Sequence, residues 1–150
     1  MSKIRINISE QKLYFESDSD TKTYSVSTSK FGTGTEEGSN KTPLGDFIIC
    51  QKIGEGEPER TIFKARLPVG IWDGFPSDAD LVLTRILWLD GVEHENSNTK
   101  DRFIYIHGTN HEIKIGKPDS DGCIRMLNKD IVELFDLVQE NTKVSIIKLN

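Results

Sequence analysis

The segment RFIYIHGTNHEIKIGKPDSDGCIRM contains a histidine and a cysteine whose side chains could take part in one reaction. His107 ends an apolar run, and Cys123 follows a turn-forming Ser-Asp-Gly sequence. A cysteine nucleophile needs a base that removes its proton, and it needs N–H donors for the oxyanion formed when it attacks a carbonyl. His107 offers the base. Gly122 lets the backbone approach a substrate, so the N–H groups of Gly122 and Cys123 are candidate oxyanion donors.

A catalytic pair competes with chance co-occurrence and with a metal site. A histidine and a cysteine can occur in one loop without a shared role. His94, His107, His111 and Cys123 could also be gathered as metal ligands, but the sequence has neither C-x-x-C nor H-E-x-x-H spacing. His94 and His111 lie in polar stretches and are expected at the surface. A metal site is therefore the weaker interpretation.

The elements that must position these residues are mostly β-strands. Ile4, Ile6 and Ile8 alternate with polar residues, which is typical of a half-buried strand. The strand at 102–106 is predicted to deliver His107 at its C-terminal end, whereas 31–45 is predicted to be a loop and 67–80 irregular. The other apolar or β-branched runs that predict strands are 12–17, 22–28, 46–53, 61–66, 81–89 and 143–149.

One helix is predicted near 128–139. Four apolar residues fall at i, i+3, i+4 and i+7 and form one face: Ile131, Leu134, Phe135 and Val138. Asn128 is a candidate N-cap, and Asp130 would lie near the positive end of the helix dipole. Many short strands with one late helix predict a mainly β (α+β) fold, a β-sandwich or barrel-like domain that spans residues 1–150 as a single unit.

Charge and hydropathy exclude some classes of partner. The net charge of −5, with no cluster of Lys or Arg, argues against binding to nucleic acid. The apolar runs are too short to span a membrane. The first residues, MSKIRINISEQ, have no hydrophobic signal region, so we expect a cytoplasmic protein, or a periplasmic or cell-wall protein if a signal was trimmed.

Several motifs together resemble the catalytic domain of the YkuD-type L,D-transpeptidases over nearly the whole chain. They are IHGT, SDGCIRM followed by NKDIVELFDLV, LWLDGVE, and KTPLGDF, which is similar to the family signature T-P-x-G-x-F after a glycine-rich loop. The resemblance implies that Cys123 is the acylated nucleophile and that His107 is its base and acid. It also implies that the carbonyl of Gly108 orients the imidazole in place of a triad carboxylate.

The same resemblance implies roles for the residues around the nucleophile. The N–H groups of Asp121, Gly122 and Cys123 would form the oxyanion hole, and Ser120 would hold the turn. Arg125 would help to shape the site, by meeting a substrate carboxylate through two parallel hydrogen bonds. Many family members carry histidine where this chain has Asp121. We expect an anionic Asp121 to raise the pKa of the cysteine, with Arg125 offsetting that charge.

The reaction that the resemblance implies is cysteine-dependent acyl transfer on peptidoglycan tetrapeptide stems, which needs no metal and no cofactor. The diaminopimelate–D-Ala bond would be cleaved through a Cys123 thioester, and the partners would be stem peptides or soluble muropeptides. Hydrolysis, an L,D-carboxypeptidase activity in muropeptide recycling, is favoured if the protein is natively cytoplasmic. The alternatives are an exported enzyme that makes 3-3 cross-links, a sortase-like transpeptidase, and a non-catalytic wall-binding module.

Overall fold

Ten strands, one short 3₁₀ helix and one α-helix make up the fold in a computed structural model, which describes residues 2–149. The strands are β1 (Lys3–Asn7), β2 (Lys12–Glu16), β3 (Thr21–Ser27), β4 (Gly45–Ile53), β5 (Thr61–Lys64), β6 (Leu67–Ile71), β7 (Val82–Gly91), β8 (Tyr105–Gly108), β9 (Ile124–Met126) and β10 (Lys143–Ile147). The 3₁₀ helix is Glu112–Lys114, and the α-helix, α1, is Asn128–Leu137.

The strands form one sheet in the order β4-β10-β1-β2-β3-β9-β8-β7-β5-β6, and a further pairing of β4 with β7 closes it into a barrel-like shape. Strand β7 pairs with β8 along one edge and with two strands along the other, where Val82 and Leu83 pair with β5 and its later residues pair with β4. The β5–β6 hairpin therefore extends beyond the closure. This architecture confirms the predicted mainly β, barrel-like fold with one helix near 128–139.

The main core is built by the alternation that the sequence shows. Ile4 and Ile6 are 1% and 0% exposed, and α1 packs Leu134 and Phe135 into the same cluster. Burying each such side chain contributes roughly 1.5–3 kcal/mol. A second, smaller cluster contains Trp88 and Tyr105, with Cys123 packed against its edge. Cys123 therefore lies on the face of the sheet that carries this smaller cluster.

Two local predictions about strands were wrong, and one strand was not predicted. The strand predicted at 102–106 begins only at Tyr105 and includes His107, because a turn precedes it in which Phe103 has a φ of 58° and Arg102 N–H bonds back to the carbonyl of Asn98. Part of the segment predicted to be irregular forms β6, which pairs with β5 across a tight turn with positive φ. Strand β9 was not predicted, because three residues give no readable period.

The predicted N-cap of α1 was also wrong. Leu127 occupies the N-cap position, and Asn128 is the first helical residue. The side chain of Asn128 does not cap the helix. Its amide nitrogen instead donates to the carbonyl of Thr109, just after the strand that carries His107.

Candidate active site

The parallel pairing of β8 with β9 brings the histidine and cysteine segments together. Ile106 pairs with Ile124, and His107 pairs with Arg125. Both isoleucines are fully buried in the main core. Because successive side chains of a strand point to opposite faces, His107 and Arg125 lie on the other face, and Cys123 lies there beside Tyr105.

The imidazole of His107 is buried, and its environment favours the neutral form. The residue is 1% exposed, and its Nδ1 lies 2.5 Å from the carbonyl oxygen of Gly108. Burial lowers the pKa of His107, although the hydrogen bond to Gly108 and the charge of Asp80 act in the opposite direction. A neutral imidazole that donates from Nδ1 to a carbonyl keeps Nε2 as an acceptor. The geometry is that expected of a base oriented by the backbone.

Gly108 is held in place from behind by Asn128. A Cβ on Gly108 would overlap Asn128 Oδ1 and would come within 2.8 Å of the carbonyl oxygen of Leu83. Asn128 Oδ1 accepts from the hydroxyl of Thr84 at 2.6 Å, and its Nδ2 donates to the carbonyl of Thr109 at 2.8 Å. Only glycine therefore fits at position 108. The buried side-chain amide of Asn128, which was predicted to cap the helix, instead holds the segment after His107 in place.

The thiol of Cys123 is protonated in the resting site. Burial raises its pKa to about 12, and the charge of Asp80 adds to this, while a hydrogen bond from the N–H of Tyr105 and the charges of Arg125 and Arg102 oppose it. The Tyr105 N–H lies 3.3 Å from Sγ, and Sγ donates to the carbonyl of Phe103 at 3.3 Å. A thiol in this state can attack a carbonyl only if its proton is removed during attack, and a neutral imidazole is able to remove it.

The turn that precedes Cys123 is fixed by Ser120. Its hydroxyl donates to the carbonyl of Cys123 at 2.6 Å and accepts from the N–H of Gly122 at 3.2 Å. Gly122 has a φ of 129°, which glycine adopts without strain. The Gly122 N–H is thus already bonded. Within residues 2–149 the N–H groups of Asp121 and Cys123 have no acceptor, and these two are the ones open to an oxyanion.

Arg125 is buried in ion pairs with two carboxylates. The residue is 2% exposed, with guanidinium nitrogens 2.6 Å from Asp119 and 3.0 Å from Asp80. Burial opposes ionisation of Asp119, but the hydrogen bond and charge of Arg125 prevail and lower its pKa. No sequence pattern singles out either aspartate. Two guanidinium nitrogens thus face protein carboxylates, and the contact of Arg125 with a substrate carboxylate stays a prediction.

Asp121 is not among the charged groups that chiefly shift the pKa of Cys123. Its side chain is 50% exposed and lies 3.7 Å from Lys30, and it borders two cavities of about 750 and 280 Å³. Cys123 lines the smaller cavity. The carboxylate whose charge raises the pKa of Cys123 is that of Asp80, since the exposed carboxylate of Asp121 is screened by solvent and paired with a cation.

Of the other candidates, His111 lines the larger cavity, whereas His94 and Cys50 border neither cavity. His94 is exposed, and His111 Nε2 lies 2.7 Å from the carbonyl oxygen of Ser77. Cys50 is only partly buried and, like Cys123, is not in a disulfide. Across the described part of the chain, no group of three or more His, Cys, Asp or Glu residues could hold a metal ion. No helix in residues 2–149 has the length and apolarity needed to cross a membrane.

The family model for the L,D-transpeptidase catalytic domain, YkuD, matches residues 2–146. The chain belongs to this family. The L,D-transpeptidase assignment inferred from IHGT, SDGCIRM and KTPLGDF is thereby confirmed. A match of this length also covers every strand of the closed sheet, from β1 to the penultimate residue of β10.

Relatives by sequence and by structure agree with the family. The protein named Putative L,D-transpeptidase YqjB of Bacillus subtilis is 48% identical over 116 residues, which are 77% of this chain and 57% of that protein. Putative L,D-transpeptidase YkuD of the same organism is 56% identical over 41 residues, or 27% of this chain and 25% of the relative. Among solved structures, L,D-transpeptidase 3 of Mycobacterium tuberculosis has a TM-score of 0.63 at 15% identity, covering 97% of this chain and 60% of that one, which shows a shared fold.

This L,D-transpeptidase domain thus spans only part of the length of those relatives. Its structure brings together Cys123, His107 and Gly108, with Ser120 and Gly122 in the adjoining turn. Five residues near the site were not indicated by sequence patterns, or were indicated for another role: Asp80, Asp119, Thr84, Thr42 and Asn128. Of these, Thr42 lies in the KTPLGDF motif and donates to the carbonyl of Gly122, and Asn128 was indicated only as a helix cap.

Proposed function

We propose that this domain catalyses cysteine-dependent acyl transfer on peptidoglycan tetrapeptide stems, with Cys123 as nucleophile and His107 as base and acid. The observation that carries the proposal is the pairing of β8 with β9, which places a neutral, backbone-oriented imidazole and a thiol on one face of the sheet. Membership in the L,D-transpeptidase family supports the substrate class. It also favours this mechanism over a sortase-like one.

In the first step His107 Nε2 takes the proton of the thiol while Sγ attacks the carbonyl of the L-centre of diaminopimelate. The oxyanion is met by the free N–H groups of Cys123 and Asp121. When the C–N bond to D-Ala breaks, the imidazolium gives its proton to the departing amine. The products are a Cys123 thioester and free D-Ala, with His107 neutral again.

In the second step an acceptor attacks the thioester, and His107 removes its proton and returns one to the sulfur. An amine of another stem gives a cross-linked peptide, whereas water gives a tripeptide. Both cavities that border Asp121 are open, so neither acceptor is excluded by space. We expect hydrolysis to prevail where stem amines are dilute, as in muropeptide recycling, and cross-linking to prevail in a polymeric wall.

Incubation of the protein with a purified tetrapeptide ending in diaminopimelyl-D-Ala tests the proposal, with the products resolved by mass. We expect D-Ala release, a protein mass increased by one acyl tripeptide, and no turnover by Cys123→Ala. Dimers without tripeptide would contradict the preference for water. Binding of the stem without any D-Ala release by the unaltered protein would overturn the enzymatic proposal and favour a wall-binding module.

A further inference from the structure

The KTPLGDF motif contributes a residue that contacts the nucleophile turn, residues 120–123. Thr42 is 0% exposed. Its hydroxyl donates to the carbonyl oxygen of Gly122 at 2.9 Å and accepts from the backbone N–H of Ser29 at 3.0 Å. Both hydrogen-bonding directions of the hydroxyl are therefore used, so the donated hydrogen is directed at Gly122.

The bonded carbonyl belongs to the same peptide unit as the N–H of Cys123. In a planar trans peptide the C=O and N–H bonds point in opposite directions. A donor that fixes the Gly122 carbonyl on one side of the turn thus fixes the direction of the Cys123 N–H on the other side. Hydrogen bonding to a carbonyl also polarises its peptide unit, which strengthens the N–H as a donor.

The backbone of Thr42 is held independently of its hydroxyl. Its N–H bonds to the carbonyl of Gly32 at 3.1 Å, and its carbonyl accepts from the N–H of Gly34 at 3.0 Å. Beside it, the N–H of Lys30 bonds to the carbonyl of Ser120 at 3.0 Å. The loop is thus attached to the nucleophile turn at two places, and removing the hydroxyl leaves the other attachment intact.

We propose that Thr42 is a positioning residue for the oxyanion site, because its hydroxyl aims the N–H of Cys123 through the peptide that links Gly122 to Cys123. The inference rests on the proposed function in one respect, namely that Cys123 attacks carbonyl carbon. Thr42 touches neither the substrate nor the reacting atoms. Its contribution appears only in reactions that form an oxyanion.

Thr42→Ala and Thr42→Ser form a matched pair, because both lose the methyl group and only alanine loses the hydroxyl. The probe 4-nitrophenyl acetate acylates a thiol through a tetrahedral oxyanion: the S–C bond forms, His107 takes the thiol proton, and 4-nitrophenolate leaves with its electron pair. Iodoacetamide alkylates the same sulfur by displacing iodide and forms no oxyanion. Comparing the two rates separates positioning of the N–H from any change in the thiol.

We expect Thr42→Ala to acylate about 10- to 100-fold more slowly than Thr42→Ser, since loss of a full oxyanion donor costs about 10²–10³-fold. The rates of alkylation by iodoacetamide should differ by less than about threefold between the two variants. The pH dependence of these rates should be the same for both. Thr42→Val, which keeps the shape of threonine, should behave like Thr42→Ala. Thr33→Val, in the same loop, should match the unaltered protein in both reactions.

Equal acylation by Thr42→Ala and Thr42→Ser would overturn the inference. A parallel loss of acylation and alkylation would also overturn it, because the hydroxyl would then act on the fold or the thiol. If the unaltered protein is acylated by 4-nitrophenyl acetate but leaves the tetrapeptide intact, the proposed substrate fails while the test of Thr42 stands. If Cys123 is alkylated but never acylated, both proposals fail.

Discussion

Asp80 lies 3.0 Å from the buried guanidinium of Arg125, and this ion pair acts on both proposed catalytic residues. The charge of Asp80 raises the pKa of Cys123 and of His107, and the charge of Arg125 lowers both. The two charges oppose each other at each group. Burial is the largest influence on both, and it produces a neutral thiol beside a neutral imidazole rather than a thiolate–imidazolium pair.

Asp80→Asn should make the thiol more reactive toward iodoacetamide. Removing the anion that raises the thiol pKa lowers that pKa, so more thiolate is present at a given pH, and we expect labelling at pH 8 to rise about threefold or more. Asp119→Asn is the control, because it removes a similarly exposed partner of Arg125 that does not act on the Cys123 pKa. Equal labelling of the two variants would contradict the role of Asp80. The readout is the alkylation rate between pH 6 and 10.

The rate of acylation by 4-nitrophenyl acetate should fall in acid with a midpoint below pH 6.5. His107 acts as a base only when neutral, and burial lowers its pKa below the ordinary imidazole value of 6.5, so the neutral form persists further into acid. As pH falls through that lowered pKa, the imidazole gains a proton and activity is lost. His107→Gln should lose this fall in acid and about 10²–10⁴-fold in rate. A midpoint above pH 6.5 in the unaltered protein would show that another group titrates.

Local signals in the sequence single out residues by type and motif, but they do not reveal roles that depend on tertiary contact. Cys123, His107 and the helix face were predicted because a nucleophile turn and a 3.6-residue period are local signals. Asn128 has the residue type of an N-cap, but its amide bonds Thr84 and Thr109, which are distant in sequence. Asp80 lies in a segment without a periodic pattern. Its relevance to the site is visible only from its ion pair with Arg125 in the structure.

Asp121→Asn should leave the alkylation profile of Cys123 unchanged. The carboxylate is half exposed and lies 3.7 Å from Lys30, and solvent screens its charge. We expect labelling rates within about twofold of the unaltered protein across pH 6–10, and Asp121→His should behave alike. Asp80→Asn provides the positive control in the same assay. A clear acceleration by Asp121→Asn would show that this aspartate does oppose thiolate formation.

Gly108→Ala should destabilise the domain and disable the base. The added methyl would overlap Asn128 Oδ1 and lie 3.1 Å from Thr84 Cβ, so β8 must shift and carry the carbonyl away from His107 Nδ1. Overpacking of this kind costs about 1–3 kcal/mol in the free energy of unfolding. Gly70→Ala is the control, because nothing lies within 4 Å of its Cβ position, and it should stay within about 0.5 kcal/mol. Urea unfolding measures the stability. The rate of acylation by 4-nitrophenyl acetate at pH 7 without denaturant measures the function of His107 as a base. If Gly108→Ala acylated at the unaltered rate, orientation of the imidazole by this carbonyl would have no catalytic importance.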